Sequence, residues 1–131
     1  MSVESIVKSS LEEVPKAVAA GVVDMGSGMM LSIKTVESHP QSVLDVLAPA
    51  TKELFEGDMV LHIENLFKQS RGVSSDERYF QEILISSSHL WHYFGRLKSS
   101  SSVVLCVVTR ADVNLGMMLV KARHIRDTAT I

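Results

Sequence analysis

Two stretches of this chain, Ala17-Val18-Ala19-Ala20-Gly21-Val22-Val23 and Val103-Val104-Leu105-Cys106-Val107-Val108, carry no charged or hydroxyl side chain at any position. A strand sends successive side chains to opposite faces, so a strand with no polar parity has to be covered on both sides. Both runs are far shorter than the ~20 residues a membrane span needs. They therefore belong in the middle of a sheet, next to one another, with helices packed on each face.

The remaining pattern supplies those layers. Val3, Ile6, Val7, Leu11 and Val14 recur at spacings of three and four, predicting a helix capped by Ser2 and stopped by Pro15. Asp24-Met25-Gly26-Ser27-Gly28 offers hairpin turn chemistry. The returning strand, Met29 to Thr35, is expected to place Leu31 and Ile33 on one face and Ser32 and Lys34 on the other. Ser38-His39-Pro40 opens a second helix through Val43, Leu44, Leu47, Thr51, Leu54 and Phe55, with Pro49 expected to kink it. Gly57-Asp58 marks a break, after which Met59, Val60, Ile63, Leu66 and Phe67 resume helical spacing up to Arg71-Gly72.

Ser74-Ser75-Asp76 reads as loop, and Tyr79–Ser86 and Leu90–Leu97 as strands joined around Ser86-Ser87-Ser88. After the second all-apolar run, Asp112 or Asn114 is placed to cap a last helix with Leu115, Met118, Leu119 and Ala122 on its apolar stripe. The order is helix, two strands, helix with an extension, three strands, helix.

Composition excludes several function classes. The chain has 131 residues, 46% of them hydrophobic but only 5% aromatic, and a formal net charge of -2. Such a balance leaves no electrostatic footprint for nucleic acid. One cysteine makes neither an internal disulfide nor a four-thiolate zinc site, and a free thiol fits a reducing, cytoplasmic setting. Met-Ser-Val-Glu-Ser shows no basic stretch before an apolar run, so no secretory leader is expected.

Chemistry-bearing constellations are likewise missing from the sequence. Gly26-Ser27-Gly28 lies between two strands and lacks the lysine and following helix of a phosphate cradle. His89 and His92 diverge on a strand, and His62 and Glu64 diverge on a helix, so neither pair chelates a metal. Glu12-Glu13 and Asp76-Glu77 read as solvated faces. Lys121, Arg123, His124 and Arg126, near the end of the last helix, suit either its dipole or an acidic or phosphate-bearing partner. Trp91 and Tyr93 share one face of their strand and Phe94 takes the other. No catalytic residue, metal or cofactor is expected.

Two segments resemble the roadblock/dynein light chain family, a relative of the longin and profilin-like folds. One is Ala20-Gly21-Val22-Val23-Asp24-Met25-Gly26-Ser27-Gly28-Met29-Met30-Leu31, similar to the family's first hairpin. The other is Val104-Leu105-Cys106-Val107-Val108-Thr109-Arg110-Ala111-Asp112-Val113-Asn114-Leu115-Gly116, similar to its last strand and the start of its last helix. The resemblance implies an α+β sandwich of topology α-β-β-α-β-β-β-α. Its five-stranded antiparallel sheet is ordered 2-1-5-4-3, with helices on both faces, which puts the two all-apolar strands side by side. One such domain spans 1–131, with a region longer than usual at about 57–82.

The resemblance further implies a non-catalytic homodimer, a scaffold or regulator that binds or modulates a Ras-like small GTPase or serves as an adaptor in a motility or signalling complex. Family members pair second helices and third strands about a two-fold axis. Carried onto this chain, that names Leu47, Leu54 and Phe55 on the helix and Phe80, Ile83 and Ile85 on the strand. An unpaired third strand would otherwise be an aggregation-prone edge. The alternative function is a small-molecule sensor, for which His92 and Arg96, on one face of the fourth strand, are the candidate ligand contacts.

Overall fold

Strand β1 (Ala17–Asp24) lies antiparallel beside β5 (Val103–Arg110), with Gly21 opposite Cys106 and Val23 opposite Val104. The structure, a computed structural model, describes residues 2–36, 41–72 and 77–131, with 41–45 described as backbone only. The expected Ser38-His39-Pro40 helix start and Ser74-Ser75-Asp76 loop lie outside the described residues. Strands β2 (Met29–Thr35), β3 (Glu82–Ser86) and β4 (Leu90–Arg96) complete a five-stranded antiparallel sheet ordered β2-β1-β5-β4-β3. The two all-apolar runs thus occupy adjacent interior positions, as their lack of a polar face requires.

Alternation divides the core in two. On one face, Ala20, Val22, Leu105, Val107 and Tyr93 pack against helices α1 (Val3–Glu13) and α4 (Leu115–Thr128) through Ile6, Val7, Met118, Ala122 and Ile125. On the other, Val23, Val104, Cys106 and Phe94 pack under α2 (Gln41–Glu56) through Ala48 and Phe55. Ser2 caps α1 by accepting from the Ser5 N–H at 3.2 Å. Asn114, not Asp112, caps α4, accepting from the Met117 N–H at 3.0 Å, while Asp112 pairs with Lys16 at 2.7 Å.

The sheet's return strand departs from simple alternation. Val22 pairs with Ser32 but Val23 pairs with Met30, so Leu31 is the extra residue of a β-bulge. Past the bulge the parity shifts: Met30 takes the inward place in series with Ile33, and Leu31 is left exposed. The expected pairing of Leu31 with Ile33 on one face is corrected accordingly.

Helix α2 continues through Pro49 and stops at Gly57, from which α3 (Asp58–Arg71) starts at once. A β-carbon at Gly57 would stand 2.7 Å from the Glu53 carbonyl oxygen, so only glycine permits this immediate change of direction. The following strand is shorter than the expected Tyr79–Ser86. Residues 79–81 are held by α3 and β4 instead: Glu64 accepts the Tyr79 N–H at 2.9 Å, and the Gln81 carbonyl accepts from the Arg96 N–H at 2.9 Å.

Two truncations test this arrangement. Leu105→Ala, between β1 and β4 under α1 and α4, should lower unfolding free energy by about 2–5 kcal/mol in denaturant titration. Leu31→Ala, on the bulge, should change it by no more than about 0.5 kcal/mol.

Candidate functional site

Strand β3 is a sheet edge: one side pairs with β4, and the other carries no strand among the described residues. Around that edge the structure disperses the six residues expected to form an interface. Leu47 and Leu54 on α2 and Phe80 ahead of β3 are exposed, as is Val46 on α2. Ile83 packs from β3 onto the core beneath α2, and Ile85 is half-buried on the same parity. Phe55 is a correction. It points inward with 0% exposure, its ring edge-on to Phe94 at 6.5 Å, and therefore belongs to the core beneath α2. Next to Leu54 in the chain, it shares its helix but not its face.

Arg96 is also corrected. It is 1% exposed, with its guanidinium over the Phe55 ring at 5.1 Å. Its Nε donates to the Phe80 carbonyl at 2.7 Å, and Nη1 donates to the Ser101 carbonyl at 2.7 Å and to Glu56 at 3.1 Å. These bonds tie β4, the β4–β5 loop, the end of α2 and the approach to β3 at one point. Arg96 is a structural tie, with Nε and Nη1 engaged by groups of its own chain. Breaking such a buried pair leaves a charge without its partner, which is what makes the tie rigid.

His92 shares the β4 face with Arg96 but sits apart from it, 3.0 Å from the Ser87 hydroxyl. Burial pushes its imidazole pKa down, favouring the neutral ring. It borders a cleft of about 240 Å³ between α2 and the sheet, lined chiefly by apolar side chains such as Met30, Ile33, Leu47 and Phe94. Cys106 also faces this cleft. Burial pushes its thiol up to about 12, only partly opposed by the Thr51 hydroxyl, so it behaves as a small apolar residue rather than a nucleophile.

The surface feature not anticipated from the sequence is the orientation of α3. Glu64 and Lys68 are buried, whereas Met59, Ile63, Leu66 and Phe67 are exposed. Glu64 accepts from Tyr79, and Arg78 stands 3.7 Å from its other oxygen. Tyr79 in turn packs on Phe67 with ring centroids 5.8 Å apart, and Lys68 and Arg71 lie over its ring. The periodic signal at Met59, Ile63 and Leu66 was legible; its outward direction follows from contacts with residues 78 and 79, which spacing does not reveal.

On the opposite face, Glu82 of β3 accepts from the Tyr93 hydroxyl at 2.6 Å and from Arg123 at 3.0 Å. Burial alone would raise the Glu82 carboxyl, but these two donors hold it below its ordinary value; burial, then Glu82, raises the Tyr93 hydroxyl. The α4 basic cluster is thus partly engaged with β3. Among the described residues, no three His, Cys, Asp or Glu side chains converge on a metal position, and no helix is long and apolar enough to cross a membrane.

No family model matches the chain, and no curated protein matches it by sequence. Solved structures match it by shape. A structure described as MglB with tetrameric arrangement superposes with a TM-score of 0.70 at 18% identity, covering 95% of this chain and 82% of that one. The gliding protein MglB from Thermus thermophilus gives 0.68 at 18% identity, covering 95% and 83%. A roadblock/LC7 domain from Streptomyces avermitilis gives 0.61 at 12% identity, covering 96% and 92%. The chain has the roadblock/LC7 fold.

The Glu82 cluster has a pH signature. A depressed folded pKa means that the ionised carboxylate stabilises the fold above its unfolded value of about 4.5, and that this contribution fades as pH falls. Tyr93→Phe should therefore cost about 1 kcal/mol near neutral pH, and the gap to wild type should narrow progressively below about pH 4.5 in pH-resolved melts.

Proposed function

We propose that the chain is a non-catalytic homodimeric regulator or scaffold that acts on a Ras-like small GTPase within a motility or signalling complex. The observations that carry this reading are an open β3 edge with Phe80 exposed at its approach, and the outward apolar side chains Leu47 and Leu54 on α2. An edge strand presents unpaired N–H and C=O groups, and a two-fold partner satisfies them while covering the adjoining apolar surface. The fold shared with MglB structures, one of them a gliding protein, supports a motility setting. A regulatory rather than catalytic role is supported by the raised thiol of Cys106, and by the commitment of Arg96 to backbone carbonyls and Glu56.

The cleft under α2 supports a second reading, a sensor for a small apolar molecule, with His92 as the polar group at its border. Saturable binding of a fluorescent apolar probe, reduced by Ala19→Phe in the cleft lining, favours that reading; unchanged binding counts against it.

For the leading reading, sedimentation of the full chain at micromolar concentration should show a dimer, and Leu54→Asp should weaken it while the far-UV circular dichroism spectrum stays that of wild type, the melting temperature falling only by the dimer's share of stability. Added to a Ras-like GTPase from the same cell, the dimer should bind and change the rate of GTP hydrolysis. A monomer removes the subunit argument, and a GTPase neither bound nor altered removes the regulatory one.

A further inference from the structure

We infer that the cleft between α2 and the sheet is a binding site for a small, uncharged apolar molecule that carries one hydroxyl group, its apolar part held inward and its hydroxyl at His92. The inference rests on the sensor reading of this cleft and gives it a ligand class and an orientation. The cleft arises from the register of the sheet. Thr35, Ala19, Val108 and His92 stand side by side across β2, β1, β5 and β4. In the next row Gly21 and Cys106 lie between Ile33 and Phe94. Ala19, Gly21 and Cys106 keep the floor low along the two central strands, and the larger side chains of β2 and β4 make its walls. One row further on, Val23 and Val104 are fully buried with Phe55 and close the inner end.

Helix α2 does not fill the space above this floor. Ala19, Cys106 and Val108 are only half-buried, although they belong to the two central strands, which have no polar face. Protein interiors leave few voids larger than a water molecule, and this one measures about 240 Å³. An apolar cavity of about 150 Å³ is enough to hold benzene. Water is a poor occupant, because it needs two to four polar partners and the inner row offers no charged or oxygen-bearing side chain. Thr51 on the roof already donates its hydroxyl proton to the Leu47 carbonyl at 2.8 Å.

The polar groups select the ligand and orient it. Thr35 and His92 both lie on the outer row, so the cleft is polar at one end and apolar at the other. Among the described residues no Asp, Glu, Lys or Arg lines it, and a bound carboxylate or ammonium would be buried without a counter-charge. The His92 Nε2 is taken by the Ser87 hydroxyl at 3.0 Å, which leaves Nδ1 for a ligand. Burial favours the neutral ring, whose Nδ1 donates in one tautomer and accepts in the other. A hydroxyl does both and pairs with either form.

Displacement of a fluorescent apolar probe from the full chain at neutral pH tests this, with 1-octanol, octanoate and octylamine as competitors. Octanol should compete at a concentration at least about tenfold below either charged analogue. His92→Phe should weaken octanol about five- to tenfold, the scale of one hydrogen bond, with the affinity of the probe itself little changed. His92→Gln, which keeps a donor and an acceptor, should stay within about threefold of wild type. Leu47→Trp, at the exposed rim of the roof, should exclude probe and octanol alike. If the probe binds and octanol competes no better than octanoate, or His92→Phe leaves octanol unchanged, the hydroxyl class is overturned and the sensor reading stands. If neither probe nor octanol binds, both are overturned.

Discussion

The pairing of β1 with β5 is the constraint on which the rest of the molecule depends. These two strands have no polar side to offer water, so each must be flanked by strands and roofed by helices on both faces. That one requirement sets β2 and β4 outside them, α1 and α4 on one face and α2 on the other. It also brings the first and last helices together on one face, because β1 follows α1 and β5 precedes α4. Gly21 belongs to the same constraint: a β-carbon there would press on Met30 Sδ and the Ser32 carbonyl at 3.3 Å, so the bare backbone lets β2 close onto β1.

Polar groups buried beneath and beside the helices do a different job. Arg96 and Glu64 are both almost completely buried, and each is tied to a backbone group of the segment between α3 and β3. Buried charges contribute little net stability but are costly to separate, so such ties fix geometry more than they add free energy. Their placement defines where β3 enters the sheet and how α3 stands beside it. Glu82, held by Tyr93 and Arg123, fastens the opposite side of the same strand. The least regular part of the sequence is thereby anchored at three points around the sheet's open edge.

How much of this was legible in the sequence follows from the range of the forces involved. The central strands, the order of elements, the Ser2 and Gly57 boundaries and the apolar stripe of α4 all follow from local pattern. The bulge at Leu31 was not legible, because it depends on the register between β1 and β2 rather than on either strand alone. Phe55 and Leu54 are adjacent, and only the packing of α2 decides that one faces Phe94 and the other solvent. Arg96 looked free for a ligand because its partners, Glu56, Phe80 and Ser101, come from three separate parts of the chain. The direction of α3 was hidden for the same reason: the i, i+4 pair Glu64 and Lys68 has the form of a solvated face, and only Tyr79 and Arg78 make it the inner one.

The aliphatic surplus of the composition thus divides between a core that the sheet encloses and a surface that it does not. The exposed part is spread over α2, α3, α4, the approach to β3 and the β2 edge, where Met29, Leu31 and Val36 face outward; of the sheet's two edges only β2 carries a bulge, which disfavours pairing. Amide hydrogen exchange of the two edge strands, followed at micromolar concentration and after strong dilution, tests this asymmetry most directly. A subunit interface at β3 predicts amides of residues 82–86 that are protected when concentrated and lose protection on dilution, with residues 29–35 unchanged. Equal exchange of both edges at every concentration would contradict it.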